Sequence, residues 1–504
     1  MNLAEMNSMS YRIDLPQLGQ VLNGEPGDNL YQLLAAAGLL DAPCGGNGTC
    51  GKCQVIIDGE ERLACTYQVN SDIMVLLPQQ THLQSITADG YLKDFTPDPW
   101  PQDSYGVAVD IGTTTVVATL YDLAQAEAID SLSCLNSQKA FGQDVISRIN
   151  HAVSYEKGLE ELQALIITDL TQLINGLLEQ AQLTPEAVKL VSIAGNTTMI
   201  HLLAGIDPGS MGAAPYLPAF SGALRLAAAE LGLPLSCPVY CLPAVAAFVG
   251  GDIIAGLLAC DIDKWQGKTL FIDIGTNGEI VLANDGKLFC CSCAAGPALE
   301  GMNISCGMRA APGAIEEVHI EPDGIAVSAI GGARPIGLCG SGLLSAIAEL
   351  RRVGIVDASG RMTDHPLVSK VSGKKSVLLT EDIYLSQSDI RHVQLSKGAI
   401  LSGVLTLLDA AGVTVEQLDR VIIAGQFGLH LTAESIIGSG LLPKACLDKI
   451  SYVGNTAKSG AALCLLSVAE QAHGEELAKA ITYLELSTLE GYEDRFVDCL
   501  SFED

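Results

Sequence analysis

Positive charge is scarce in this chain. It carries 28 Lys and Arg against 58 Asp and Glu, a formal net charge of −30. That balance argues against a nucleic-acid partner, because phosphate backbones are gripped by basic faces. It argues equally against docking on an anionic membrane surface. Long apolar runs are also missing. The longest candidate, PAVAAFVGGDIIAGLLA, is interrupted by Asp252 and by glycines, so no transmembrane helix is expected. Residues 1–10 show neither the basic nor the apolar region of a secretory leader, which predicts a cytoplasmic protein. There the sixteen cysteines are expected to bind metal or lie buried, and not to pair as disulfides.

What is present is ample core material. The 504 residues are 48% hydrophobic and include 52 glycines, enough for roughly three domains at about 150 residues each. Two stretches organise the rest. Residues 107–115 read VAVDIGTTT, and residues 270–279 read LFIDIGTNGE. Each is an apolar strand, a Gly-bearing turn and a second strand, and the repeat predicts two related half-domains. The turns suit phosphate. Gly112, Gly275 and Gly278 let the backbone approach closely, while Thr113, Thr114, Thr115, Thr276 and Asn277 offer donors. Asp110 and Asp273 are placed to hold Mg²⁺ through water.

Upstream, SYRIDLPQL and QVLNGE read as paired strands, and the stretch from Asp28 to Gly38 as a helix. Then comes CGGNGTCGKC followed by QVIIDGEERLAC, which places Cys44, Cys50, Cys53 and Cys65 at C-x5-C-x2-C-x11-C. Four thiolates also make a tetrahedral zinc site, although zinc ribbons usually show two CxxC knuckles and this segment shows one. The segment resembles a plant-type [2Fe–2S] ferredoxin domain, a β-grasp fold. Its first gap is one residue longer than the usual spacing, and its last Cys arrives early. Residues 84–104, with Pro97, Pro99 and Pro101, read as a linker, either a semi-rigid tether or an irregular packed connection.

Downstream, the order is strand–DIGT–strand, a small-residue helix starting near Pro243, and the second strand–DIGT–strand. The strand–AGQFG turn and a last strand and helix, YVGNTAKSGAALCLL, follow. A further short helix is expected after Thr184, with Pro185 at its first position. This order resembles the actin, Hsp70 and sugar-kinase superfamily, whose ATP sits between two lobes. The resemblance implies phosphate loops at Asp110–Thr115 and Asp273–Gly278, connecting segments at Pro243–Gly250 and Asn455–Gly460, and an adenosine-side turn at Gly425 and Gln426. It gives an α/β multidomain chain: residues 1–83 ferredoxin-type, 84–104 linker, 105–268 first ATPase lobe with a ribonuclease H-like core, and 269–504 the second.

The fusion itself resembles the reductive activators of corrinoid-dependent methyltransferases, as do the stretches AGPALEG, GLCGSGL and IIAGQFG. Members of that family are generally longer, with an extra domain between the ferredoxin part and the ATPase. The resemblance implies ATP-driven transfer of one electron from a [2Fe–2S] cluster on Cys44, Cys50, Cys53 and Cys65 to cob(II)alamin, giving cob(I)alamin. It implies Mg-ATP as cofactor, Asp110 and Asp273 in hydrolysis, a corrinoid protein as partner and an upstream low-potential electron donor. It leaves a homodimer open. Glu279 and Glu300 are further acids for the γ-phosphate side, or structural. Cys290, Cys291, Cys293 and Cys306 have no metal spacing and read as buried thiols. His201, His319 and His430 read as core or surface residues. A small-molecule kinase, or a chaperone-like ATPase, with a redox-sensing ferredoxin domain are the rival readings.

Overall fold

The computed structural model describes residues 10–16, 20–37, 39–40, 46, 53–77, 84–85, 93–322, 324–425 and 431–502. Cys44, Cys50, Gln426 and His430 lie outside them.

The N-terminal part is a five-stranded mixed sheet, in the order Gln20–Gly24, Tyr11–Leu15, Ile73–Leu76, Gln54–Ile57, Glu60–Leu63. Tyr11–Leu15 pairs in parallel with Ile73–Leu76 and antiparallel with Gln20–Gly24. Ile13, Leu15, Val55, Ile57 and Val75 alternate inward to meet Leu30 and Leu34 of the helix Leu30–Ala36. That is the β-grasp arrangement expected. Asn29, not Asp28, caps the helix, accepting from the Gln32 N–H. Met308, Ala314 and Cys339 of the C-terminal part belong to the same apolar cluster, so the small domain is seated on the large one.

The duplication is visible in the two large sheets. In the first, Glu127–Leu135, Thr115–Asp122, Tyr105–Ile111, Val188–Gly195 and Pro238–Cys241 lie side by side. In the second the matching order is Lys287–Cys293, Gly278–Asn284, Lys268–Ile274, Arg420–Ala424 and Ile450–Gly454. In both, the first three strands in sequence are antiparallel and the last two join in parallel. The helices Gly251–Ala259 and Thr456–Leu466 pack between the sheets, with Phe271 and Val281 from one side and Ala108 from the other. Their contact is close because a Cβ at Gly460 would stand 2.2 Å from the Ala255 carbonyl oxygen.

Two expected helices differ. The small-residue helix begins at Gly251 and not at Pro243, since Pro243–Gly250 is folded into turns held by Val245 N–H to Val249 O. Gly250 passes so near Asn196 that a Cβ would lie 2.5 Å from its Cα, which ties this stretch to the first lobe. After Thr184 there is a single 3-10 turn, Pro185–Ala187, before the strand Val188–Gly195 takes over. From Lys93 onward the connection is packed. Lys93 bridges Asp261 at 2.8 Å and Glu470 at 2.9 Å, while Asp98 N–H donates to Leu466 O and Asp98 Oδ2 accepts from Val468 N–H. No helix among the described residues is long and apolar enough to cross a membrane.

Candidate active site

Strand geometry sets the site. Asp110 and Asp273 are each the penultimate residue of the first strand of their hairpins, at the ends of the two central strands. Burial pushes the Asp110 carboxyl up to about 6, opposed by the hydrogen bond that Asn455 Nδ2 donates to its Oδ2 at 2.8 Å. Burial, then the charge of Asp110, raises Asp273 to about 7. The sequence reading brought these two together, and they do feel each other.

Two further acids complete the chamber. Asp252, in the first turn of the helix Gly251–Ala259, rises to about 7 through burial, Asp273 and Asp110. Glu279, directly opposite Asp273 across the second hairpin, is raised well above its usual range by burial, Asp252 and Asp273. All four keep partial solvent access, so this is a narrow cleft and not a sealed core. Asp252 was missed as a site residue, although an acid interrupting an apolar helix was its signal.

The two DIGT loops are built differently. In the first, Gly112 N–H bonds Thr115 O at 3.0 Å, and Gly112 O accepts from Asn136 Nδ2 at 2.9 Å. Thr113 Oγ1 accepts from Asn196 Nδ2 at 3.0 Å, and Thr113 O accepts from the wholly buried Arg148. In the second, Gly275 N–H bonds Asn277 O at 2.9 Å, and Gly278 opens the next strand. A Cβ there would meet Cys293 Sγ at 2.8 Å. Glu300 joins the two loops: Thr114 Oγ1 donates to it at 3.2 Å and Thr276 Oγ1 at 2.6 Å. Gly425, at φ +95°, closes the floor, since a Cβ would stand 2.9 Å from Asp273 Oδ1. Gln426 lies outside the described residues.

No three described acids, cysteines or histidines stand close enough to cage a metal alone. The carboxylates of Asp110 and Asp273 are the donors Mg²⁺ takes at nucleotide sites, where one or two carboxylates, water and the phosphates normally hold it. Of the thiol set, Cys53 is buried and Cys65 half-buried at one end of the hairpin Gln54–Leu63, where Ala64 N–H bonds Cys53 O at 2.8 Å. Gly46, at φ +84°, runs against Tyr31 so tightly that a Cβ would lie 2.1 Å from its ring. Two soft thiols at one end of a hairpin are ligands of the kind an iron–sulfur cluster takes. Cys44 and Cys50 lie outside the described residues.

The remaining cysteines are core. Cys290 faces the inter-sheet cluster, while Cys291 and Cys293 face the opposite one, so neighbouring thiols on this strand point apart. Burial pushes all three thiols up. His201 is buried, stacked 4.2 Å from Phe220, its Nε2 accepting from Ala219 N–H and its Nδ1 donating to Thr197 O. His319 is exposed on a strand.

Comparison with known proteins agrees with this geometry. Residues 267–504 match the family described as the C-terminal domain of RACo, the ASKHA domain, and residues 105–265 match the RACo middle region. The middle region thus falls on the residues that carry the first DIGT hairpin. The corrinoid activation enzyme RamQ of Eubacterium limosum is 35% identical over 427 residues, covering 81% of this chain and 72% of its own. The [Co(II) methylated amine-specific corrinoid protein] reductase of Methanosarcina barkeri is 24% identical over 433 residues, 79% of this chain and 77% of its own. A solved reductive activator for a corrinoid, iron–sulfur protein superposes with a TM-score of 0.74 at 30% identity, over 97% of this chain and 98% of that one. Sequence similarity and fold concur, and the chain belongs to the RACo family.

Proposed function

We propose that this protein spends ATP to pass one electron to cob(II)alamin on a partner corrinoid protein, restoring the methyl-accepting cob(I)alamin. The observation that carries the ATP half is the pairing of Asp110 and Asp273 across a cleft floored by the two DIGT loops. Kinship with the corrinoid activation enzyme and the corrinoid protein reductase supports the rest. In this reading Asp110 and Asp273 hold Mg²⁺ and orient the attacking water, while Thr113, Thr114, Thr115, Thr276, Asn277 and the backbone of Gly112, Gly275 and Gly278 hold phosphates. Gly425 and Gln426 border the adenosine.

Cys44, Cys50, Cys53 and Cys65 would hold a [2Fe–2S] cluster, which supplies one-electron transfer near about −400 mV. Cobalt(I) formation needs a lower potential. Nucleotide can provide the difference only by binding two protein states unequally. A preference of about 10⁴, or about 5.5 kcal/mol, corresponds to roughly 240 mV for one electron. The helix pair between two related sheets is a suitable clamp for that exchange.

The test is anaerobic. Reduced protein is mixed with a cob(II)alamin-bearing methyltransferase subunit, and cobalt(I) absorbance is followed with and without Mg-ATP. ATP-independent reduction, or none with any corrinoid partner, would sink the proposal. Cys53→Ser should remove cluster absorbance and electron delivery while ATP hydrolysis persists. Surviving absorbance in both Cys53→Ser and Cys50→Ser would overturn the ligand set.

A further inference from the structure

The side chain of Glu300 touches both DIGT loops at once. Its Oε2 accepts from Thr114 Oγ1 and its Oε1 from Thr276 Oγ1, at 3.2 and 2.6 Å. Both hydroxyls belong to turns whose chemistry is that of phosphate donors. A carboxylate and a phosphate both present anionic oxygens that accept hydrogen bonds, and a hydroxyl that donates to one has no second proton for the other. Glu300 also adds negative charge to a cleft already holding Asp110, Asp252, Asp273 and Glu279, a cost that the two hydroxyl donors offset.

We propose that Glu300 is an internal stand-in for phosphate, which nucleotide must displace from Thr114 and Thr276, and that its displacement loosens the seat of the N-terminal cysteine-bearing domain. The second half follows from what Glu300 is attached to. It ends the short 3-10 turn Pro297–Glu300, which has positive-φ glycines on both sides, Gly296 at 73° and Gly301 at 80°. Such glycines are where a short element can swing without side-chain strain. Immediately after it, backbone touches backbone. A Cβ at Gly301 would lie 2.3 Å from the Met308 carbonyl oxygen, and one at Gly307 would lie 2.0 Å from that of Gly301. Any shift of Glu300 that carries Gly301 with it must therefore carry Met308.

Met308 is no ordinary core residue. It is fully buried in the cluster that holds Leu30, Tyr31, Leu34 and Cys53 of the small domain, together with Ala314 and Cys339. Its backbone is latched to the next strand through Met308 N–H to Leu338 O at 3.0 Å, and its sulfur fills the space beside Gly337. One continuous segment, residues 300–308, thus runs from the phosphate donors to the floor beneath the small domain. Packed backbone contacts transmit displacement because they have no slack to absorb it.

The inference rests on the ATP reading above, and the test separates the two. Dissociation constants for a non-hydrolysable ATP analogue with Mg²⁺ are measured on the full chain, wild type against Glu300→Ala and Glu300→Gln. Loss of the competing carboxylate should tighten binding about tenfold in the Ala variant, the equivalent of about 1.4 kcal/mol. Gln, which keeps the shape and loses the charge, should move in the same direction by less. Amide hydrogen exchange supplies a second readout, and its wild-type arm, with and without the analogue, is free of any damage a substitution could cause. The analogue should raise exchange in residues 302–308 and 30–36 of the wild type, and Glu300→Ala should show that raised level before nucleotide is added. Unchanged or weaker binding in both variants, with wild-type affinity measurable, overturns the competition and leaves the ATP reading intact. Tighter binding without any change in residues 30–36 overturns the link to the small domain. A wild type that binds no nucleotide at all overturns both.

Discussion

The two DIGT turns share a sequence and a place in their sheets, yet they are held unequally. The first is braced from behind by Arg148 and Asn136, from the side by Asn196, and at its aspartate by Asn455. Among the described residues, the second is held by its own Gly275–Asn277 turn and by Glu300. Duplication therefore preserved the strand–turn–strand unit, and the surroundings diverged. A loop with many tertiary bonds opens rarely, and one with few opens more readily. That contrast predicts a first turn that stays fixed and a second that responds.

The strongest way to break that comparison is to neutralise each aspartate in turn. Asp273→Asn should lower ATP hydrolysis by about 10²-fold or more, the usual scale for a positioned carboxylate. Asp110→Asn should cost less, because an amide oxygen can still accept from Asn455. Reversed order would mean that the braced loop carries the chemistry. The same Asp273 variant makes a stability prediction. Its carboxyl is raised to about 7 in the folded chain, so folding is favoured while that group is protonated and loses the benefit as pH rises through about 7. In metal-free buffer at pH 8, Asp273→Asn should melt higher than the wild type; the gap should narrow at pH 5 and close only below the ordinary carboxyl value of 3.8.

Next in size is the brace itself. Arg148 is fully buried and gives its N–H groups to the carbonyl oxygens of Thr113 and Gly142 and to Gln138 Oε1. Burial lowers its pKa to about 10, so it stays charged at neutral pH. Arg148→Met leaves those acceptors unpaired and should cost about 3 kcal/mol in denaturant unfolding. Nucleotide affinity should fall with it. No substitution behind the second loop has an equivalent effect if the comparison holds.

These assignments show where sequence reading succeeds. Local chemistry was legible: the two turns, Asp110 and Asp273, the strands that lead to them and the helix Thr456–Leu466 all follow from short-range pattern. Long-range arrival was not. Nothing in the sequence singled out Arg148, and only the packing of its helix behind Thr113 brings it to the loop. Asp252 registered as an interruption in an apolar run, whereas its place beside Asp273 depends on a helix crossing between two sheets. The helix expected from Pro243 starts at Gly251 because the backbone of Asn196, 54 positions earlier, occupies the space a regular helix would need at Gly250. Of the four expected cluster ligands, Cys53 and Cys65 lie at one end of one hairpin, and Cys44 and Cys50 fall outside the described residues.

A smaller effect is expected on the responsive side. Gly425 holds a φ of +95°, and a Cβ would come 2.9 Å from Asp273 Oδ1 and 3.0 Å from Ile274 O. Gly425→Ala should cost about 1–3 kcal/mol of stability through backbone strain and displace the Asp273 carboxylate. Calorimetry with the ATP analogue should then show weaker binding. Normal affinity would place the nucleotide away from this turn.

The finest distinction concerns Asn455, which does two jobs with one amide. Its Nδ2 donates to Asp110 at 2.8 Å, and its Oδ1 caps the helix Thr456–Leu466 by accepting from Lys458 N–H at 3.0 Å. Removing the donor takes away the contact that lowers the Asp110 pKa, so that value should rise above about 6. If ionised Asp110 is needed for hydrolysis, the acid limb of the pH–rate profile moves to higher pH by a fraction of a unit. Asn455→Ala also loses the cap, worth about 1 kcal/mol. Asn455→Ser separates the two, since serine caps as well as asparagine does but is too short to replace the amide at Asp110. The serine variant should keep its melting temperature and still show the shifted limb. A limb that stays put in Asn455→Ser, while moving in Asp273→Asn, would assign the titration to the second loop and leave Asp110 as part of the wall.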